Sequence, residues 1–131
     1  MKKLLITIVL ATVAAAVPML AHHSFAAEYD SKKPVTLKGT VTKVDWRNPH
    51  VYFFIDVMDE AGKPAQWALE MGPPAGLQRA GWTKNTMKVG DDVVVEATRA
   101  KDGSNLANAR SVTMASTGEK LGAASSQGAA N

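Results

Sequence analysis

The chain has 131 residues, a formal net charge of +3 and no cysteine, which excludes disulfides and thiolate chemistry. Two of its 15 basic residues, Lys2 and Lys3, precede an apolar run, so the rest of the chain carries only about +1. This charge is too small and too scattered for a nucleic-acid-binding surface. The sequence also lacks the nucleophile elbow, the phosphate-binding loop and the His-Glu-x-x-His motif, so we expect no enzymatic activity.

The first 21 residues have the order of a secretory signal peptide. Lys2 and Lys3 are followed by the apolar run 4–17, by a proline, and by the small residue Ala21. The run is shorter than the roughly 20 apolar residues that a membrane span needs. We therefore predict cleavage after Ala21, a periplasmic location without a stable membrane span, and a single domain within residues 22–131.

Three segments follow the signal peptide. Residues 22–34 have mixed polarity and are predicted to form an amino-terminal arm, in which Phe25 and Tyr29 are spaced for one helical turn or a docked segment. Residues 35–114 carry the strand patterns and are predicted to form a β-barrel domain. Residues 115–131 are rich in Ala, Ser and Gly, and this composition predicts a disordered tail because it buries little apolar area.

The pattern within 35–114 predicts five strands and one short helix. Apolar alternation along the first strand slips after Val41, which predicts a β-bulge, and Gly39 permits a bend there. Pro74 suits the first position of a helix, and Gly81 suits its end. In chain order, the predicted elements are strands Val35–Trp46, His50–Asp59 and Ala65–Met71, a helix Pro74–Arg79, and strands Asp92–Thr98 and Leu106–Thr113. This order predicts an all-β, five-stranded OB-like barrel, with an open five-stranded sandwich as the alternative.

Four stretches carry a family resemblance: HHSFAAEYD (22–30), GTVTKVDWRNPH (39–50), WALEMGPPAGLQRAGW (67–82) and AKDGSNLANARSV (100–112). With them the sequence resembles an uncharacterised family of small exported bacterial proteins whose mature chains begin His-His-Ser-Phe. The resemblance implies an exported, β-rich, OB-like domain of unknown function. It leaves the activity to be argued from the residues.

The three histidines form the first candidate site. Cleavage after Ala21 would give His22 a free α-amine beside its imidazole, and these two groups together make a chelate. His50, at the predicted corner between the first two strands, would add a second imidazole, and copper(II) favours such a nitrogen-rich set. His23 offers another arrangement through the amine, the amide nitrogen and its own ring. We therefore predict metal binding, with copper preferred, against the alternative that the paired histidines are only a solvated leader.

The second candidate site combines aromatic and polar residues, namely Trp46, Arg47, Asn48, Tyr52 and Phe54. OB-type barrels use the corresponding face to bind ligands by stacking and hydrogen bonding. This site predicts a small ligand or a periplasmic protein as the partner. It is the alternative to the metal ion.

Four further residues are predicted to have structural roles. Trp67 and Trp82 are expected to fill the core or to lie under the arm. Glu70 and Arg79 are expected to form an ion pair that pins the helix to the third strand. Such a pair would stabilise little if exposed.

Overall fold

The computed structural model describes residues 25–125, which form a mostly β structure with two short helices. The predictions for the signal peptide, the cleavage site, His22 and His23 lie outside the described residues. In chain order the elements are α1 (Phe25–Glu28), β1 (Tyr29–Asp45), β2 (Tyr52–Met58), β3 (Pro64–Glu70), α2 (Pro74–Arg79), β4 (Asp92–Ala100), β5 (Leu106–Met114) and β6 (Lys120–Gly122). No helix within 25–125 is both long and apolar enough to cross a membrane.

All six strands belong to one sheet, in the order β3-β2-β1-β4-β5-β6. Neighbours in this order are antiparallel. An additional parallel pairing joins β3 to β5 through Ala68↔Leu106, Leu69↔Ala107 and Glu70↔Asn108. The pairings among β1, β2, β3, β5 and β4 therefore return to the strand from which they start.

The bulge predicted in the first strand is confirmed. The register of β1 against β2 shifts between Val41 and Lys43. Two residues earlier, Gly39 lies so close to the partner strand that an added Cβ would be 2.4 Å from the carbonyl oxygen of Asp56. A side chain at this position would force the two backbones apart, so glycine is needed here for close approach.

The predicted helix is also confirmed, because α2 has the expected bounds and begins at Pro74. Gly81 follows it with φ +99°, a conformation that glycine adopts without strain. Leu77 of this helix is fully buried. Trp67 and Trp82 are 8% and 2% exposed and belong to the core cluster, as predicted.

The start of the first strand differs from the prediction. β1 begins at Tyr29, and its pairing with β4 starts at Tyr29↔Ala100. Residues 29–34 of the predicted arm are therefore part of the sheet. The preceding helical turn α1 brings Phe25 onto the Tyr29 ring, with centroids 5.6 Å apart, which confirms the predicted turn.

The predicted disordered tail and the five-strand count are wrong within the described residues, because β6 is a sixth strand. It pairs with β5 through Val112↔Leu121, and Leu121 packs against the core. Ala123, which follows β6, is fully buried, and its carbonyl accepts a hydrogen bond from the N–H of Gly72 at 2.8 Å. A few apolar side chains and backbone hydrogen bonds hold this segment against the sheet, although its average composition is poor in apolar residues.

Candidate functional site

A buried carboxylate lies at the end of β3 and collects side chains from three separate regions of the chain. Glu70 is only 5% exposed. Its Oε1 is 2.9 Å from Nδ1 of His50. Its Oε2 accepts hydrogen bonds from the hydroxyl of Tyr52, at 3.0 Å, and from the hydroxyl of Tyr29. We call Tyr29, His50, Tyr52 and Glu70 the Glu70 cluster.

This arrangement corrects the predicted ion pair between Glu70 and Arg79. Arg79 is exposed at the end of α2 and forms no ion pair among the described residues, whereas Glu70 is buried and binds His50. A buried carboxylate needs hydrogen-bond donors close by, and the cluster supplies three of them. The pairing with Arg79 would have left this carboxylate at the protein surface.

The backbone explains why these side chains meet. Tyr52 and Glu70 are directly opposite in the β2–β3 register, so their side chains share one face of the sheet. The chain reaches His50 through a corner with a cis peptide bond between Asn48 and Pro49. Just beyond it, the N–H of Val51 donates to the carbonyl of Gly72 at 3.1 Å, which holds this corner against the end of β3.

The electrostatics of the cluster favour neutral phenols. Burial, together with the adjacent Glu70 carboxylate, raises the pKa of both Tyr29 and Tyr52 above the ordinary value of 10. Both hydroxyls therefore remain hydrogen-bond donors at neutral and moderately alkaline pH.

A row of polar residues crosses the sheet beside the cluster. In the pairing registers, Tyr52 faces Glu70, Glu70 faces Asn108, and Asn108 faces Thr98. Asn108 is 1% exposed and Thr98 is 2% exposed, and neither belongs to the hydrophobic core cluster. Both take part in polar interactions, as buried polar groups generally do. The sheet thus carries a row of buried polar side chains, Asn108 and Thr98, next to Glu70.

A cleft of about 560 Å³ opens beside this row of polar residues. Its volume is in the range of small-molecule sites. Polar groups of His50, Glu70 and Asn108 line it together with apolar residues, which include Pro49, Met71, Pro73 and Ala124. The side chain of His50 is 30% exposed, and its Nδ1 faces Glu70. The Nε2 side of this ring is therefore the part of the cluster that remains available to a ligand.

The predicted metal ligands are only partly described. His50 is at the predicted corner, whereas His22 and His23 precede the described residues. Within 25–125 no group of three or more His, Cys, Asp and Glu side chains is arranged to hold a metal ion. The described part of the chain thus supplies one imidazole, bonded to a carboxylate in the manner of many metal-binding histidines.

The five residues of the second candidate site lie in different surroundings. Trp46 is half-buried and packs against the core cluster. Arg47 is exposed and pairs with a neighbouring aspartate at 3.2 Å. Asn48 lines the cleft, and the Tyr52 hydroxyl belongs to the Glu70 cluster. Phe54 is half-buried beneath a lysine whose ammonium is 5.4 Å from the ring centroid.

Sequence analysis missed the roles of Tyr29 and Glu70, although one signal was present. The predicted hairpin turn between the second and third strands fixes their register, and this register brings Tyr52 opposite Glu70. A carboxylate opposite a tyrosine, in strands that are apolar on both sides, indicates a buried pair. No comparable local signal exists for Tyr29, because it meets Glu70 across 41 residues of sequence.

The profile of a family of unknown function, DUF6152, matches residues 10–109. The match covers most of the chain, and the chain belongs to this family. It includes all four residues of the Glu70 cluster and ends before β6. No curated protein and no solved structure matches the chain.

Proposed function

We propose that this chain is an exported periplasmic protein that binds copper(II) without catalysing a reaction, through His50 and the mature amino terminus at His22 and His23. One observation carries the proposal. His50 and Tyr29 bind the two oxygens of the same buried carboxylate. The described chain therefore begins beside the only described histidine, and the two proposed amino-terminal ligands lie a few residues before that point.

The distances along the chain support this arrangement. Phe25 is stacked on Tyr29, so the first described residue is held one helical turn from the cluster. His23 precedes Phe25 by two residues, and an extended chain spans at most about 3.3–3.6 Å per residue. The backbone between them covers at most about 7 Å, to which the imidazole side chain adds its own length. His22 and His23 are therefore tethered within a few residues of the Glu70 cluster.

The donor set is one that copper(II) favours. An α-amine, an imidazole from the same residue and the imidazole of His50 provide nitrogen donors for a tetragonal site. The chain has no cysteine to compete for the ion or to reduce it. Glu70 remains an outer partner of His50, because two tyrosine hydroxyls already bind its other oxygen.

We also propose that the sheet forms an OB-like barrel. The ring of pairings β1-β2-β3-β5-β4 and the helix between β3 and β4 support this assignment. In OB-like barrels, loops and strand ends near one side of the barrel form the ligand site. The corner that carries His50 and the end of β3 would have this position.

The test is a copper(II) titration of the secreted protein, with its amino terminus verified by intact mass, followed by electron paramagnetic resonance. We expect one tight equivalent with a nitrogen-rich, tetragonal spectrum, lost in His50→Ala. Adding one alanine before His22 should also weaken binding, because it displaces the α-amine. The matched control carries the additional alanine at the carboxyl terminus and should bind like the wild type.

Two outcomes would contradict the proposal. Binding that survives His50→Ala would mean that the amino-terminal peptide chelates the ion without the folded domain. An absence of binding in the wild-type protein would exclude copper. Export itself is tested by fractionation of expressing cells, which should place a shortened protein in the periplasm.

A further inference from the structure

We infer that Glu70 is a positioning residue that fixes the protonation of the His50 ring and makes Nε2 the ligand-binding atom of the cleft. The inference deepens the proposed function, and it rests on that function only for the identity of the ligand. It assigns a chemical class as well. The atom is a lone-pair donor, so it accepts a metal cation, or a hydrogen bond from a ligand N–H or O–H group.

The first step is the contact between His50 and Glu70. Nδ1 of His50 lies 2.9 Å from Oε1 of Glu70, which is a normal hydrogen-bond distance. An ionised carboxylate only accepts hydrogen bonds, so Nδ1 must carry the proton. In a neutral imidazole the other nitrogen then has a free lone pair, since the bond made by one ring nitrogen sets the state of the other. In the neutral ring, Nε2 is consequently the unprotonated nitrogen.

The second step is the polarity of the other carboxylate oxygen. Oε2 accepts hydrogen bonds from Tyr29 and Tyr52, and both are donors. These two bonds occupy Oε2 and leave only Oε1 for the ring. The two ends of the carboxyl group therefore have different partners, because one oxygen accepts from two hydroxyls and the other accepts from the ring. A carboxylate suits both ends because both of its oxygens are acceptors.

The different partners of the two oxygens make the Glu70→Gln variant informative. A glutamine has the shape of a glutamate but has one carbonyl oxygen and one NH₂ group. Both tyrosine hydroxyls donate to Oε2, and an amide that keeps these bonds has its carbonyl oxygen at that position and its NH₂ against Nδ1 of His50. The neutral ring then accepts at Nδ1 and carries its proton on Nε2. We therefore expect Glu70→Gln to invert the tautomer of His50 with little change in shape.

A second variant tests the cause of the inversion. When Tyr29→Phe and Tyr52→Phe are added to Glu70→Gln, no hydroxyl dictates the orientation of the amide. Either end of the amide can then face the ring, so both tautomers become accessible and the proton returns to Nδ1 in part of the population. A partial return of the Nδ1 proton on removal of two hydroxyls is an effect that a general loss of packing would not produce.

The experiment is nitrogen-15 NMR of histidine-labelled protein, recorded without metal at a pH where the ring signals are those of neutral imidazole. We expect a protonated Nδ1 and an unprotonated Nε2 in the wild type, the reverse in Glu70→Gln, and a mixture of the two forms in the triple variant. The His50→Ala protein identifies the signals. Copper(II) affinity is measured on the same samples, and Glu70→Gln should weaken it by at least about tenfold.

The outcomes separate this inference from the proposed function. A wild-type tautomer in Glu70→Gln would overturn the inference, whether or not copper binds. An inverted tautomer in a protein whose wild type does not bind copper would leave Glu70 as the positioning residue and remove copper as the ligand. Unchanged copper affinity with an inverted tautomer would overturn the assignment of Nε2 as the binding atom.

Discussion

The hydroxyl of Tyr29 offers the most direct test of the Glu70 cluster. Tyr29 is 2% exposed, and its hydroxyl donates to the Glu70 carboxylate across 41 residues of sequence. Tyr29→Phe removes this hydroxyl and keeps the ring that stacks on Phe25. A hydrogen bond to a charged group contributes about 1.5–3 kcal/mol, and no water can easily replace a donor at this depth. We therefore expect the free energy of unfolding to fall by about 1.5–3 kcal/mol.

Tyr52→Phe is the matched control, because both hydroxyls donate to the same oxygen of Glu70. Tyr52 is only half-buried, so water can take the place of its hydroxyl in the variant. The expected loss is therefore smaller, on the order of 0.5–1.5 kcal/mol. Because the chemical change is identical, the difference between the two variants reports the surroundings of each hydroxyl.

Urea unfolding followed by tryptophan fluorescence measures both values, and an unchanged m-value would show that the transitions are comparable. A double-mutant cycle with Glu70→Ala identifies the partner. Without the carboxylate, Tyr29→Phe should cost little more, because its acceptor is already gone. A loss below about 0.5 kcal/mol in the wild-type background, or an equal loss in the Glu70→Ala background, would refute the assignment of this bond as a major stabilising contact.

The remaining predictions concern ionisation and close approach. Burial raises the pKa of the chain's two tyrosines, so absorbance at 295 nm should show no tyrosinate in the folded protein at pH 10. The contribution of the neutral tyrosines to the free energy of unfolding should be fully present below pH 10 and fall as the pH rises above it. Ordinary titration of both tyrosines near pH 10 without unfolding would contradict this. Gly72→Ala should release the last described residues from the sheet, because an added Cβ would be 2.1 Å from the carbonyl oxygen of Ala124. Amide exchange at β6 should accelerate in this variant but not in the control Gly122→Ala, where an added Cβ meets nothing within 4 Å. The hydrogen bond from Lys120 lowers the pKa of Glu96 below its ordinary 4.5. This ion pair should therefore hold β6 against the sheet above that pH and be lost as the pH falls, and Glu96→Gln should remove this part of the pH dependence of amide exchange at β6. An identical dependence of the exchange rate on acidic pH in the variant would argue against the ion pair.

Local patterns predicted the parts of the fold that local chemistry determines. Helix α2 has the predicted bounds because Pro74 and Gly81 define its two ends through their own backbone preferences. The bulge was visible because a change in apolar phase must appear wherever one strand gains a residue over its partner. In both cases the decisive interactions lie within a few residues of each other.

Average composition gave the wrong prediction where a few individual contacts fix a segment. The segment after residue 114 is poor in apolar residues on average, yet Leu121 packs on the core and Ala123 is fully buried. The indole Nε1 of Trp82 also donates to the carbonyl of Gly122 at 2.9 Å. Backbone hydrogen bonds to a strand and to an indole do not depend on the side chains of the segment, so its composition carries no record of them.

The Glu70 cluster combines both situations, and this explains why only half of it was predictable. Tyr52 faces Glu70 through a hairpin register, which the turn fixes locally. Tyr29 and His50 arrive from the far end of β1 and from the corner after it, so their approach depends on how the whole sheet pairs. Sequence analysis predicted Arg79 as the partner of Glu70, whereas the carboxylate is buried and three donors surround it. These donors come from distant parts of the sequence, and a buried charge of this kind therefore marks the place where the fold, and not the local pattern, assembles a site.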